Sequence, residues 1–285
     1  MLTVLHTSDL QVGKPYRPEA AEALVREVDR VQPDLVVVAG DLTQRAKATE
    51  FQVARALLAR LGPAPVVVTP GNHDVPLYRF WERLATPYRN WKRFISPELD
   101  SATHLDGATV VALNSSAPRR AIVGGRLRDH QVALARQAFE KAPATDVRIL
   151  VAHHHFVVTD DGSGGSPLPG ARSHLDAFSH MGIDLLLGGH VHQTRVLPPD
   201  DPRTGVPFPV VSCGTTTSWR GRGDEVDANS LNVIEIGADE IRVVPHRLSR
   251  ERHRFEPREP IVLSRHRFGS GFDDGARAGG SRGET

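Results

Sequence analysis

The chain has 285 residues, 39% hydrophobic and 24% charged, with Lys+Arg 35 against Asp+Glu 34 and a formal net charge of +1. This balance excludes a protein held on nucleic acid chiefly by its own field; the one cysteine, Cys213, excludes an intrachain disulfide; and no apolar run approaches the roughly 18 residues of a membrane span. With no basic and apolar leader in MLTVLHTSDL, the expected setting is cytoplasmic, with ample chain for a full core.

Taken in order, the first apolar run is residues 2–9, ending at Asp9, with Gln11 just beyond and His6 inside it as a core or edge histidine. Residues 19–31 place Ala21, Leu24, Val25, Val28 and Val31 on one stripe after Pro18, which predicts a helix with proline at its start. A second run, 35–41, ends in Gly40 and Asp41. A second helix follows over 49–61 on Phe51, Ala54, Leu58 and Leu61, with Thr49 as its cap. The third run, 66–74, ends in 71-GNHD-74. Strand, helix, strand, helix, strand reads as βαβ units in a parallel sheet, and unalternating Val, Ile and Leu mark strands covered on both faces.

Residues 76–105 gather Tyr78, Phe80, Trp81, Tyr88, Trp91 and Phe94 among Arg and Pro, as expected of an insertion over one sheet edge. A strand over 108–116, ending near Asn114, and a helix over 129–141 precede two more apolar runs, 147–155 and 183–192. Between these runs, the Gly- and Pro-rich stretch 161–171 reads as a loop. The last strands, 208–214, 231–237 and 241–248, have no helices between them and suggest an antiparallel second sheet against the first. We expect one domain over residues 1–263, with Cys213 as a small buried group, and a disordered Gly-rich tail over 264–285.

Fourteen histidines are unevenly spread, with six at His73, His153 to His155, His190 and His192. All five apolar runs end in potential metal ligands, and residues distant in sequence converge outside the carboxyl ends of parallel strands. Asp9, Gln11, Asp41, Asn72, His153, His190 and His192 make seven oxygen and nitrogen donors without thiolate. That set suits Mn, Fe or Zn and is too large for one ion, so Asp41 would lie between two. A metal pair that activates water and neutralises phosphoryl oxygens points to phosphate-ester hydrolysis.

The blocks 9-DLQ-11, 40-GDLT-43, 71-GNHD-74, 153-HHH-155 and 189-GHVH-192 resemble the motif series of the calcineurin-like metallophosphoesterases, over residues 1 to about 250. The stretches 40-GDLTQRA-46 and 70-PGNHDVP-76 are similar to those of bacterial class III cyclic nucleotide phosphodiesterases. The resemblance implies a four-layer α/β/β/α sandwich of two mixed sheets flanked by helices. It implies a dinuclear phosphoesterase that cleaves a small phosphodiester, such as a cyclic nucleotide like cAMP, by attack of a metal-bound hydroxide. Asp9 and His192 would belong to one metal and Asn72, His153 and His190 to the other. His73 would contact the phosphate and protonate the leaving oxygen, with Asn72 and His154 as further substrate contacts. Gln11 stands where the family usually has histidine. Alternatives sharing these motifs are a DNA-repair nuclease of the SbcD type, a UDP-diacylglucosamine pyrophosphatase-like hydrolase, and a scaffold without metal. As partners beyond the small substrate, nucleic acid and a second copy of the chain stay open.

Overall fold

The computed structural model describes residues 1–120, 124–159, 162 and 164–265. Two β-sheets pack face to face. The first is built from β1 (Leu2–Thr7), β2 (Leu35–Val38) and β3 (Val66–Val68), all parallel. β10 (Ser230–Ile236) and β11 (Glu240–Ser249) then extend it antiparallel from the free edge of β1. The second contains β4 (Ser101–Leu105), β5 (Ala108–Leu113), β6 (Val147–Ala152), β7 (Leu185–Gly188), β8 (Arg195–Leu197) and β9 (Val210–Ser212), in the order β4-β5-β6-β7-β9-β8. β12 (Arg254–Pro257) and β13 (Ile261–Ser264) both pair with β11.

Strand side chains alternate between two buried environments, which is why the runs lack polar alternation. Val4, Leu35, Val37, Val110, Ile149, Val151, Leu187 and Ile234 form the core between the sheets. Leu5, Val36 and Val38 point the other way, onto α1 (Pro18–Val31) and α2 (Ala48–Leu58), while Val111 and Leu150 meet α5 (Asp129–Lys141) and α6 (Ala171–Ser179). The result is the expected four-layer α/β/β/α sandwich of two mixed sheets. Helix α1 carries Pro18 at its start, where the missing N–H costs nothing.

Several local expectations differ. The five strands end before their ligand residues, because the chain leaves each sheet in a loop. The three C-terminal strands do not form a second sheet of their own: β9 runs parallel to β7, and β10 and β11 extend the first sheet. Residues 76–105 hold α3 (Phe80–Ala85) and α4 (Arg89–Phe94), whose Trp91 meets Phe51 edge-on at 6.3 Å, but their end, β4, is a sheet strand. Thr49 lies inside α2; the helix start is held instead by Glu50, whose Oε2 accepts from the Lys47 N–H at 3.2 Å. Ser264, given to the tail, ends β13, and Arg265 beside it is tied to Asp184 at 2.7 Å. The rest of the expected tail, 266–285, and parts of the 161–171 loop lie outside the described residues.

Candidate metal centre

The loops after β1 and β2 run side by side. Asp9 N–H donates to Gly40 O at 3.0 Å, Gln11 N–H to Asp41 O at 2.8 Å and Val12 N–H to Leu42 O at 3.0 Å. This continues the strand ladder past the sheet edge and fixes Asp9 beside Asp41. The turn after β3 joins them through Asp74, whose carboxylate accepts from the N–H groups of Leu42, Thr43 and Gly71 at 3.1, 2.9 and 3.0 Å. His153 enters from β6, and His190 and His192 from the loop after β7, so both sheets supply donors.

Five of these residues have left-handed backbones: φ is 53° at Asp9, 49° at Gln11, 53° at Asp41, 71° at His190 and 57° at His192. Asp and His tolerate this region better than most residues, yet each instance costs on the order of 1–3 kcal/mol and persists only where surrounding contacts enforce it. Two glycines allow the close approach. A Cβ on Gly71 would sit 2.1 Å from Asp41 Oδ1, and one on Gly189 would sit 1.8 Å from Ser8 Oγ.

Each carboxylate has one oxygen tied down and one left over. Asp9 Oδ2 accepts from Ser8 Oγ at 2.6 Å and from His190 N–H at 3.0 Å; Asp41 Oδ1 accepts from His73 N–H at 2.8 Å. Asp9 Oδ1, Asp41 Oδ2 and His153 Nε2 are buried without a hydrogen-bond partner. Donor atoms of these three residues all lie within 4.8 Å of one another. Three orphaned buried polar atoms cost about 1–3 kcal/mol each unless a cation satisfies them, and their oxygen and nitrogen chemistry fits a divalent ion.

The histidine tautomers agree. His153 Nδ1 donates to Ala39 O at 2.7 Å and His192 Nδ1 to Arg220 O at 2.7 Å, which turns both Nε2 atoms into the site. His192 Nε2 lies 3.0 Å from Asp9 Oδ1 and His153 Nε2 lies 3.5 Å from Asp41 Oδ2, while His190 Nδ1 lies 3.0 Å from Asn72 Oδ1. Burial raises the Asp41 carboxyl, but His153 and His73 outweigh it and hold the group well below the usual carboxylate range. Burial lowers His153, and Asp41 reverses that, pushing it up to about 9. Burial and neighbouring histidines drive His190 well down.

All seven expected donors therefore come to one rim. Gln11 is turned partly away: its Oε1 accepts from Ser218 Oγ at 2.9 Å and its Nε2 faces His192 Nε2 at 3.3 Å. His154 is buried, with Nδ1 2.7 Å from Ser115 Oγ and its ring 4.6 Å from that of His190, so it backs a cleft residue. His6 and Cys213 are buried, as read. Asn114 caps its own turn, accepting from Ser116 N–H at 3.0 Å.

His73 sits at the cleft wall with Nδ1 3.1 Å from Gln44 O, its Nε2 4.0 Å from Asp41 Oδ2 and 3.2 Å from Arg220 Nη1. Burial lowers its pKa, against the pull of Asp41. Arg220 escaped the sequence reading; its one signal is a glycine-flanked arginine pair in 219-WRGRG-223.

A family model described as calcineurin-like phosphoesterase matches residues 2–194. A probable cyclic nucleotide phosphodiesterase of Synechococcus sp. is 30% identical over 184 residues, 63% of this chain and 65% of that one. A glycerophosphodiester phosphodiesterase of Enterobacter lignolyticus is 47% identical over 45 residues, 16% of each. The matches thus span less than two thirds of either curated relative. Among solved structures, a purple acid phosphatase from yellow lupin aligns with TM-score 0.70 at 11% identity, over 93% of this chain and 54% of that one. A dimetal phosphatase from Danio rerio aligns with TM-score 0.59 at 12% identity, over 93% and 99%. Both carry the same fold. Among the described residues, no helix is long and apolar enough to cross a membrane.

Proposed function

The chain belongs to the calcineurin-like phosphoesterase family, and from that premise we propose that it is a metal-dependent hydrolase of a small phosphodiester, with cyclic nucleotides the first class to test. The observation that carries this reading is the buried group Asp9, Asp41 and His153, each with an orphaned polar atom and with donor atoms within 4.8 Å of one another, of which Asp41 lines a cleft. Asp9, Asp41 and His192 would hold one ion and Asp41, Asn72, His153 and His190 a second, with Gln11 at the edge of the first. Mn, Fe or Zn suits these donors. Two such ions supply Lewis acidity and lower the pKa of water near neutrality.

The chain's own residues do the rest. Arg220 Nη1 and His73 Nε2, 3.2 Å apart, face the cleft together. A phosphate oxygen seated there takes the Arg220 hydrogen bond and frees His73 Nε2. Its negative charge also raises the proton affinity of His73, which then holds a proton at Nε2 for the leaving oxygen. The buried Ser8 and Ala39 contacts keep Asp9 and His153 from turning as charge develops.

The test is hydrolysis of bis-p-nitrophenyl phosphate by the Mn-loaded protein. Activity should disappear on chelation and in Asn72→Ala and His73→Ala. A folded, metal-loaded protein with no activity would overturn the reading.

A further inference from the structure

We propose that the mouth of this cleft is a second anion site, so that the substrate is a nucleotide phosphodiester bearing a further phosphate group. The inference rests on the phosphodiesterase reading of the same cleft and adds the substrate class to it.

The cleft encloses about 820 Å³, and its lining includes Lys14, Arg45, Lys47, Arg220 and Arg222. Over the whole chain, cations and anions nearly cancel, 35 against 34. Five cations lining one cleft are therefore a local concentration. Two carboxylates share the lining, and they offset only part of its five positive charges. Asp41 belongs to the metal set, and Glu50 Oε2 is occupied by the N–H groups of Arg45 at 2.8 Å and Lys47 at 3.2 Å. A single phosphodiester brings one negative charge, which the metal ions and Arg220 already meet beside His73. The mouth cations Lys14, Arg45 and Lys47 are then surplus to the reacting group.

Two aromatic rings make the surplus selective. The Arg45 guanidinium lies 5.0 Å over the Tyr78 ring, which holds it in place. Trp219, 53% exposed, lines the same cleft directly before Arg220 in the chain and offers it a flat apolar face. A base stacked on Trp219, with one phosphate at Arg220 and another among Lys14, Arg45 and Lys47, uses the ring and the surplus cations together. The volume suits a ligand of nucleotide size.

The experiment compares two esters with the same leaving group, thymidine 5'-(p-nitrophenyl phosphate) and its 3'-phosphorylated form, on the Mn-loaded protein. The 3'-phosphorylated ester should show kcat/KM higher by at least about tenfold, the scale of one or two charge-assisted contacts. That ratio should shrink in 0.5 M salt, roughly the range where exposed charges are screened, and fall toward one in the Lys14→Glu, Lys47→Glu double variant and in Arg45→Gln. Equal kcat/KM for the two esters, or a ratio that none of these variants changes, overturns the second site while leaving the phosphodiesterase reading intact. Failure to cleave either ester while bis-p-nitrophenyl phosphate is turned over also overturns it. Inertness toward all three substrates removes the underlying reading, and this inference with it.

Discussion

The amide nitrogen of Gln11 faces His192 Nε2 at 3.3 Å, while the amide oxygen accepts from Ser218 Oγ at 2.9 Å. The better donor of the amide is thus held by a serine, and the group pointed at the His192 imidazole offers no lone pair. Gln11→His should tighten metal binding at the Asp9 side, by roughly tenfold, as for other changes around a metal ligand. Histidine tolerates the left-handed φ of 49° at this position. Metal titration by calorimetry on both proteins checks this, and equal affinities would refute it.

Gly71→Ala should release Asp41. The new Cβ meets Asp41 Oδ1 at 2.1 Å and Asp41 N at 2.5 Å, so the loop or the carboxylate has to move. The expected cost is about 1–3 kcal/mol of stability, together with a loss of bound metal measured by mass spectrometry. Retention of full metal content would show that the loop yields without disturbing the carboxylate.

Acid should weaken the fold partly through Glu27. This buried residue of α1 pairs with His246 of β11 at 2.8 Å and with Arg30 at 2.6 Å. Burial raises its carboxyl, but the bonds from His246 and Arg30 outweigh that and hold it below its ordinary value. A folded-state pKa below the unfolded one, about 4.3, gives stability that is full above that pH and is lost as pH falls through the folded value. The gap in melting temperature between the parent and Glu27→Gln should therefore be widest near neutrality and close below about pH 4. A gap independent of pH would contradict it.

Arg265→Ala should cost more than a surface substitution. Its Nε donates to Asp184 Oδ1 at 2.7 Å and its Nη1 to Gly237 O at 2.8 Å, linking the start of β7 to the turn between β10 and β11. Both side chains of the ion pair are under 10% exposed, at 8% and 6%. Removing one partner of a pair this buried costs about 3–5 kcal/mol, read from urea unfolding. A change below roughly 0.5 kcal/mol, the range of ordinary surface substitutions, would mean the pair is solvated.

The residues that gather at the candidate metal centre were legible because each follows a short apolar run, with Gly40, Gly71 or Gly189 making room beside it. Pairing between strands was less so. The stretches 208–214 and 231–237 have similar composition, yet one lies parallel to β7 and the other antiparallel to β1. Composition sets which faces are covered; partners are chosen by the packing of the whole sandwich. Arg220 and Ser218 were invisible for a related reason. Arg220 reaches His73 from 147 residues away and Ser218 reaches Gln11 from 207, and no local spacing encodes that approach.

Asp9, Asp41 and Asn72 hang from one sheet, while His153, His190 and His192 hang from the other. Any sliding of the sheets past each other would separate the two halves of the proposed donor set. Metal affinity is then a gauge of sheet registration, and trimming side chains such as Ile149 or Leu187 in the intervening core should loosen metal without touching a ligand.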